Sequence, residues 1–168
     1  NYASGSVNVQ VNVSAVTYTN GDYRSASNGT WQSSTVGTAT WEQFNGSSWV
    51  SSGRPGINSA QLGSKTVYIK NEITLVGNNT APNVVVSENG KLFTSTVAAM
   101  FGNLLVKSGG EFYRQGNSSG VNGNFEVEDG GTVFYYHSNT NARNTSIWAG
   151  TEKFHPNSNF VVKEVSIE

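Results

Sequence analysis

The side chains that could carry acid–base chemistry are few in this sequence. The chain holds two aspartates, Asp22 and Asp129, two histidines and no cysteine. Glycoside hydrolysis requires two carboxylates about 5 to 9 Å apart, whereas the two aspartates are far apart along the chain. No Asp-Asp, Asp-x-Asp or arginine-rich row is present. The sequence therefore predicts no catalytic residue and favours a protein that is not an enzyme.

A metal site would need both histidines, His137 and His155, with a carboxylate such as Glu152 or Asp129. The spacing of the histidines could bring them onto neighbouring strands of a repeating structure. The stretch "KFHPNS", however, is typical of a turn in which Pro156 ends a strand and His155 bonds to the backbone. We therefore expect no metal ion and no other cofactor.

Five aromatic residues are candidates for ligand binding. Phe93, Tyr113 and Phe134 occupy the same position in three similar segments, and they would suit a sugar or a partner surface if they face outward. Turned inward, they would belong to the core. Trp41 and Trp49 offer the same choice, because a flat indole stacks on sugars but also supplies the large apolar area that a cap needs. For both groups the sequence favours packing over binding.

The three similar segments follow one another at steps of 20 to 21 residues. They are "NVVVSENGKLF" (83–93), "NLLVKSGGEFY" (103–113) and "NFEVEDGGTVF" (124–134). A fixed period near 20 is typical of a solenoid, in which each unit buries its apolar face against its copies. Each segment carries a glycine in the same column, at Gly90, Gly110 and Gly131, and we expect these glycines to occupy turns that require positive φ.

The columns of the repeat can be assigned to faces, because side chains alternate sides along a strand. Glu126 shares a column with Val85 and Leu105, and its charge predicts that this column faces outward. The flanking columns are uniformly apolar and are predicted to face inward; they are Val84, Leu104 and Phe125, and Val86, Val106 and Val127. Opposite charges then meet on neighbouring strands, in the pairs Lys91 with Glu111 and Lys107 with Glu128.

Two further segments extend the repeat: "KTVYIKNEITL" (65–75) as a shorter first rung and "SNFVVKEVSI" (158–167) as a last one. Four to five rungs stacked about 4.8 Å apart would form a stub of roughly 20 Å. Short crossovers between parallel strands are right-handed. We therefore predict an all-β fold, a short right-handed parallel β-helix with a β-rich amino-terminal cap. No helix is predicted, and 94–102 is interpreted as strand or loop.

The chain divides into three zones. Residues 1–20 contain alternating valines in "SVNVQVNVSAV" and are predicted to be a leading strand or the tail of a preceding domain. Residues 21–63 form the tryptophan-containing cap, and residues 64–168 form the rungs. The ends of a stack expose strand edges that something must cover, which is the role expected of the cap.

Within the cap, "TWEQFNGSSWV" (40–50) predicts a β-hairpin. Asn45-Gly46 between two strand-like arms is the strongest short-range signal for a two-residue hairpin loop. Such a loop would place Glu42 opposite Trp49 and Trp41 opposite Val50, and it would put Trp41 and Trp49 on opposite faces of the hairpin.

Composition limits the partners. Charged residues make up 12% of the chain and the net charge is −1, whereas soluble domains carry roughly 25% charged residues. The basic residues are scattered, which argues against nucleic acid and anionic membranes. No apolar run approaches the roughly 20 residues of a membrane span, so no membrane insertion is expected.

The sequence resembles a segment of large secreted surface proteins of the Bacteroidota, adhesin-like chains that are often exported by the type IX system. The resemblance covers about residues 20–165 and is carried by "GDYRSASNGTWQSSTVGTATWEQFNGSSWV", "VYIKNEITLV" and "IWAGTEKFHPNSNFVV". It implies a secreted or cell-surface location and a role as a stalk or display module. It implies no catalytic site.

Three functions follow in order of preference. The first is a non-catalytic structural or adhesive module of a secreted or cell-surface bacterial protein. The second is a carbohydrate-binding module that uses exposed aromatics. The third is the accessory β-helix of a polysaccharide-degrading enzyme. The expected partners are neighbouring domains of a longer chain and a glycan or cell-surface receptor.

Overall fold

A computed structural model describes residues 16–32, 40–94, 99–115, 119–138 and 150–165. This part of the chain is built from β-strands in three sheets, with a single short helix. The predicted all-β class is therefore confirmed. The predicted leading strand in "SVNVQVNVSAV" lies almost wholly outside the described residues.

The largest sheet has eight strands in the spatial order β15-β13-β10-β7-β5-β1-β3-β4. Only the pairs β1–β3 and β3–β4 are antiparallel, whereas every other neighbouring pair is parallel. In chain order the strands are β1 (Tyr23–Ser25), β3 (Trp41–Phe44), β4 (Trp49–Ser52), β5 (Thr66–Ile69), β7 (Asn83–Val86), β10 (Asn103–Val106), β13 (Phe125–Val127) and β15 (Glu152–Phe154).

A second sheet of six parallel strands has the order β16-β14-β11-β8-β6-β2. Its strands are β2 (Gly29–Thr30), β6 (Glu72–Thr74), β8 (Lys91–Phe93), β11 (Glu111–Arg114), β14 (Thr132–Ser138) and β16 (Asn159–Val165). The third sheet pairs β9 (Met100–Phe101) with β12 (Gly120–Val121) in parallel. We call the succession of parallel strands in the two larger sheets the stack, with its amino end at β1–β4 and its carboxyl end at β15 and β16.

The interval of 20 to 21 residues seen in the sequence is also the interval between paired strands. Asn103 pairs with Asn83, 20 residues earlier, and the side chain of Asn103 accepts from the backbone of Asn124, 21 residues later. Each repeat contributes one strand to the eight-stranded sheet and one to the six-stranded sheet. The last step is longer, because Asn159 pairs with Thr132, 27 residues earlier.

The assignment of columns to faces is confirmed. Both predicted inward columns are buried, together with Leu92, Phe112 and Val133 in the six-stranded sheet. Edge-to-face ring contacts join the three sheets around one core, since Phe112 lies 6.2 Å from Phe101 and 6.3 Å from Phe125 between ring centroids. The outward column, which contains Glu126, is half-buried.

The predicted backbone conformation of the glycine column is wrong. Positive φ falls one residue before each of these glycines, at Asn89 (62°), Gly109 (72°) and Gly130 (78°). An asparagine can occupy the first of these turns because its side chain tolerates the left-handed region better than most.

The constant size of the residue in this column is explained instead by the backbone of the preceding repeat, which approaches each of these glycines closely. A Cβ atom on Gly90 would lie 2.0 Å from the carbonyl oxygen of Ile69, and one on Gly110 would lie 2.7 Å from that of Val86. Real Cβ atoms do not approach backbone oxygens so closely. Glycine is required at each corner because the preceding repeat packs against it.

The predicted hairpin is present, but its loop is longer than predicted. Trp49 pairs with Phe44, and Trp41 pairs with Ser52, so each predicted partner is shifted by two residues. The reason is the Asn45 side chain, whose Oδ1 accepts from the backbone N–H groups of the two serines before Trp49, at 3.0 and 2.9 Å. This side-chain turn closes a four-residue loop in place of a two-residue one.

One helix, α1 (Ser59–Leu62), is present where none was predicted. The Asn58 side chain caps it by accepting from the backbone N–H of Gln61 at 3.0 Å. Leu62 is buried in the main core. Four residues are too few for a helical period to show in the sequence, so the cap was the only available signal.

The core runs without a break across the predicted boundary between cap and rungs at residue 63. Trp31 and Trp41 are 0% and 1% exposed and belong to the same buried cluster as the strands of the stack. The pairing of β1 with β5 joins the two zones in one sheet.

Candidate functional site

The outer face of the six-stranded sheet carries three stacked rings. Phe93, Tyr113 and Phe134 share a register column on β8, β11 and β14. Each is half-buried, and each lies next to a buried residue on its strand, so all three face outward. The ring centroids are 4.2 and 4.5 Å apart, with interplanar angles of 15° and 12°. We call these residues the ring ladder.

Stacking decides which part of each ring a ligand could reach. Phe93 covers one face of the Tyr113 ring and Phe134 covers the other. The Nζ atom of Lys163 lies 5.0 Å from the centroid of the Phe134 ring. A sugar that binds an aromatic platform needs a free ring face, whereas Tyr113 is stacked on both faces and presents only its edge. The sequence predicted the column correctly but could not predict which part of each ring is exposed.

A polar row runs beside the ring ladder. Lys91 Nζ lies 3.2 Å from Glu111 Oε2, which confirms the predicted pair, and the hydroxyl of Tyr113 donates to the same carboxylate. Burial raises the pKa of the Tyr113 phenol, and its hydrogen bond to Glu111 raises that pKa further. Tyr113 therefore remains a neutral hydrogen-bond donor and is unsuited to the role of a base.

Trp41 cannot act as a binding platform. It is 1% exposed, its ring lies 5.5 Å from that of Trp31, and its indole Nε1–H donates to the carbonyl oxygen of Thr30 at 3.4 Å. The structure therefore contradicts its candidacy as a ligand-binding residue. Filling the amino end of the core requires a large apolar side chain here.

Trp49 is half-buried on the opposite face of the hairpin, as predicted. The Arg24 guanidinium lies over its ring at 4.5 Å, and the ring of Tyr18 meets it edge-on at 4.9 Å. Arg24 also pairs with Glu42, at 2.5 Å between Nε and Oε2. Lys70 and these two charged residues help to line a neighbouring polar pocket of about 320 Å³. Part of the Trp49 ring surface is therefore already covered, and Trp49 contacts the pocket only through Arg24.

Sequence reasoning missed a row of amides on the outer face of the eight-stranded sheet. Asn103 Nδ2 donates to Asn83 Oδ1 at 2.9 Å, and Asn103 Oδ1 accepts from the backbone N–H of Asn124 at 2.9 Å. The row borders a shallow groove of about 260 Å³, whose floor includes the half-buried Val85 and Leu105. The available signal was the asparagine that opens each of the three similar segments, at 83, 103 and 124.

A charged cluster lies near the carboxyl end of the same sheet. Glu126 Oε1 lies 2.8 Å from Lys153 Nζ and 2.7 Å from His155 Nε2. Hydrogen bonds from Lys153 and then His155 lower the pKa of the Glu126 carboxyl. The predicted turn is closed by the backbone N–H of Ser158, which donates to the carbonyl oxygen of His155, and the N–H of His155 donates to Val127 on the neighbouring strand. The His155 side chain bonds to a carboxylate rather than to the backbone.

Both aspartates have structural roles. Asp22 accepts from the backbone N–H groups of Thr19 and Thr66, at 2.7 and 3.0 Å. Asp129 accepts from the backbone N–H of Asn157 at 3.0 Å. These carboxylates hold turns in place at opposite ends of the stack.

Within the described ranges, no three His, Cys, Asp or Glu side chains come together in a way that could hold a metal ion. A site that uses both histidines would also need the side chain of His137, which is not among the described side chains.

A buried arginine was also missed. Arg114 is 0% exposed on the inner face of β11, its Nε donates to the carbonyl oxygen of Ser119 at 2.6 Å, and its guanidinium lies 4.5 Å from the Tyr135 ring. Desolvation lowers the pKa of this guanidinium. Arg114 ties the loop after β11 to the core.

Comparison of the chain with protein-family models, with curated proteins and with solved structures found no match. In the described part of the chain, no helix has the length and apolar character needed to span a membrane. The site must therefore be interpreted from its own geometry.

Proposed function

We propose that the chain is a non-catalytic structural or adhesive module of a secreted or cell-surface bacterial protein, built as a right-handed parallel β-helix. Parallel pairing at a step of 20 to 21 residues in two sheets supports this architecture, as does the core that the sheets share. The resemblance to type IX-exported adhesin-like proteins of the Bacteroidota supports the location.

One observation carries the proposal: the outer side chains of each repeat bond mainly to the next repeat. Lys91 pairs with Glu111, Lys107 Nζ lies 3.7 Å from Glu128, and the ring ladder and the asparagine row run from strand to strand. A binding or catalytic site directs such groups towards a ligand. Here they fix the register of the stack, which is the requirement of a stalk.

A display experiment tests the structural role. The chain is placed between an outer-membrane anchor and an epitope on a bacterial surface, and antibody binding to intact cells is measured. We expect full exposure of the epitope, and loss of exposure when Gly110→Val disrupts the stack. Gly77→Ala is the matched control, because its nearest neighbour is the flexible Gln32 side chain. Equal exposure with Gly110→Val would contradict the proposal.

A polysaccharide panel separates this proposal from carbohydrate binding. The purified chain is screened against plant, algal and bacterial polysaccharides by calorimetry, and we expect no binding that depends on the ring ladder. Binding that is lost with Tyr113→Ala but retained with Trp41→Phe would instead establish a carbohydrate-binding module. Polysaccharide cleavage that requires this chain beside a catalytic neighbour would support the accessory-domain alternative.

A further inference from the structure

A polar pocket of about 320 Å³ lies at the amino end of the stack. It forms where β1 runs beside the residues that follow β5, and its volume falls within the range of small-molecule sites. Two cations and one carboxylate lie in its wall, which leaves one positive charge in excess. The lining residues are Arg24, Ser25, Ala26, Glu42, Lys70 and Asn71.

Lys70 is a cation that the stack leaves unpaired. The register of β5, β7, β10 and β13 places four residues in one column, each directly after its strand: Lys70, Ser87, Lys107 and Glu128. Lys107 meets an acid in the next repeat, since its Nζ lies 3.7 Å from Glu128 Oε1, whereas Lys70 meets an uncharged serine. Lys70 is exposed, and its amine has no hydrogen-bond or ion-pair partner among the described residues.

Arg24 is held in place but keeps part of its donor set. Its Nε lies 2.5 Å from Glu42 Oε2, and its guanidinium lies 4.5 Å from the centroid of the Trp49 ring. In the described part of the chain, nothing accepts from its two terminal nitrogens. The guanidinium is therefore fixed along one edge and over one face, and its other edge remains as a planar fork that matches a carboxylate.

Ser25, which is 2% exposed, sets the orientation of the Asn71 amide. Its Oγ accepts from the backbone N–H groups of Lys70 and Asn71, at 2.8 and 3.0 Å. The one hydroxyl proton is left to donate to Asn71 Oδ1, at 3.0 Å. The other amide atom of Asn71 is therefore the nitrogen, a donor for which the described residues supply no acceptor.

The polarity of these groups selects the ligand. Three donors in one small pocket, two of them charged, favour an anion, and the planar fork of Arg24 favours a carboxylate. Glu42 Oε1 lies in the same wall and accepts from no described residue. A carboxylate alone would leave this oxygen facing another anion, whereas a hydroxyl near the carboxylate would donate to it. A sugar acid carries both groups on one ring.

We propose that this pocket binds a uronic acid residue of an acidic polysaccharide. The carboxylate of the sugar lies against Arg24 and Lys70 and accepts from the Asn71 amide, while a ring hydroxyl donates to Glu42. Trp49 does not touch the sugar; it is a positioning residue that holds the guanidinium from one face. An acidic-sugar site deepens the adhesive part of the proposed function, on which it rests, and defines the class of glycan.

An NMR titration with uronic acid trimers tests the proposal. Trimers of galacturonate, mannuronate and guluronate are added to the labelled chain, and at least one should produce saturable shifts of the Lys70 and Asn71 amides, which both donate to Ser25. Its methyl ester keeps every hydroxyl and loses the charge, so it should bind about tenfold more weakly or less well still. A triglutamate peptide and inorganic phosphate, which lack the sugar ring, should show a similar loss.

Two variants assign the binding to the pocket. Lys70→Gln removes an exposed, unpaired charge and should weaken binding about tenfold. Asn71→Asp keeps the oxygen that accepts from Ser25 but replaces the donor with a negative charge, so it should abolish the shifts. Arg54→Gln is the matched control, because it changes the net charge equally at an exposed residue outside the pocket.

Three results would overturn the sugar site: no saturable shift with any of the trimers, equal affinity for the peptide or for phosphate, or equal losses in Lys70→Gln and Arg54→Gln. The display experiment measures the stack and does not involve the pocket. Failure of the sugar site and failure of the stalk therefore give different results.

Discussion

At its amino end, the stack is closed by the hairpin of β3 and β4 and by Trp31 and Trp41, which are 0% and 1% exposed. At its carboxyl end, Phe154 and Phe160 continue the columns of the buried Val127 and Val133 but are themselves 40% and 49% exposed. The two ends use similar aromatic residues in different surroundings. The difference shows that position along the stack, rather than residue type, decides how far an aromatic side chain is buried.

The largest expected effect comes from the closed end. Trp41→Ala should lower the free energy of unfolding by about 3 to 5 kcal/mol, because it removes a fully buried indole and leaves a cavity. Phe160→Ala should cost less than about 1 kcal/mol, since half of the ring is already in water. Urea denaturation followed by circular dichroism, at protein concentrations that keep the chain monomeric, measures both. Equal losses of unfolding free energy in the two variants would show that the two ends of the stack do not differ in how much their aromatic residues stabilise the fold.

The corner glycines should show a gradient along the stack. Gly90→Ala should destabilise by about 2 to 3 kcal/mol and Gly131→Ala by about 1 to 2 kcal/mol, because the added Cβ would lie 2.0 Å and 2.9 Å from a backbone oxygen. Gly77→Ala, near a flexible side chain, should be close to neutral. Thermal unfolding compares the three. A Gly131 variant less stable than the Gly90 variant would reverse the gradient.

The ring ladder lies between the two ends of the stack, and its contacts should make the stability of neighbouring strands interdependent. Tyr113→Ala removes two stacked contacts and should cost about 1 to 3 kcal/mol, whereas Tyr113→Phe keeps the stack and loses only the hydrogen bond to Glu111. Hydrogen exchange should show lower protection on β8 and β14 in the alanine variant. Unchanged exchange on either strand would mean that the stability of that strand does not depend on the stacked rings.

The smallest effect concerns pH at the open end. The pKa of the Glu126 carboxyl is lower in the folded chain than its usual value of about 4.5, so this group stabilises the fold above that value. The contribution is lost as pH falls through the folded pKa. Protection factors for amide exchange at β15, which correct for the intrinsic pH dependence of the exchange rate, should therefore fall selectively below pH about 4.5, and Glu126→Gln should remove this fall. The same loss of protection at β3 and β4 would assign it to general acid unfolding.

Much of the fold could be predicted because one residue revealed the orientation of a whole column. Glu126 is incompatible with a core, so it identified its column as outward and the flanking apolar columns as inward. Parallel pairing then carried this assignment through every repeat. The ion pair of Lys91 with Glu111 was predictable for the same reason.

The features that were not predicted depend on side chains bonding to local backbone or on the space around a residue. The Asn45 side chain lengthened the hairpin loop, and Asn58 capped a helix too short to show a period. The glycine column was located correctly, but its cause lies in a neighbouring repeat that the sequence does not display. The exposed parts of the rings at Phe93, Tyr113 and Phe134 depend on their stacking angles, which follow from packing rather than from pattern.

The parallel register has a mechanical consequence. Hydrogen bonds between strands point along the stack. A force applied along that axis at β16 therefore loads the bonds of one strand at a time, and the strands unzip in sequence. Each detached repeat of 20 to 21 residues releases about 70 Å of extended chain. Force spectroscopy should record a series of small, evenly spaced extensions that begin at the carboxyl end, and one abrupt rupture would contradict this order. A module with this response dissipates an applied force in steps, and its amino end is the last part to unfold.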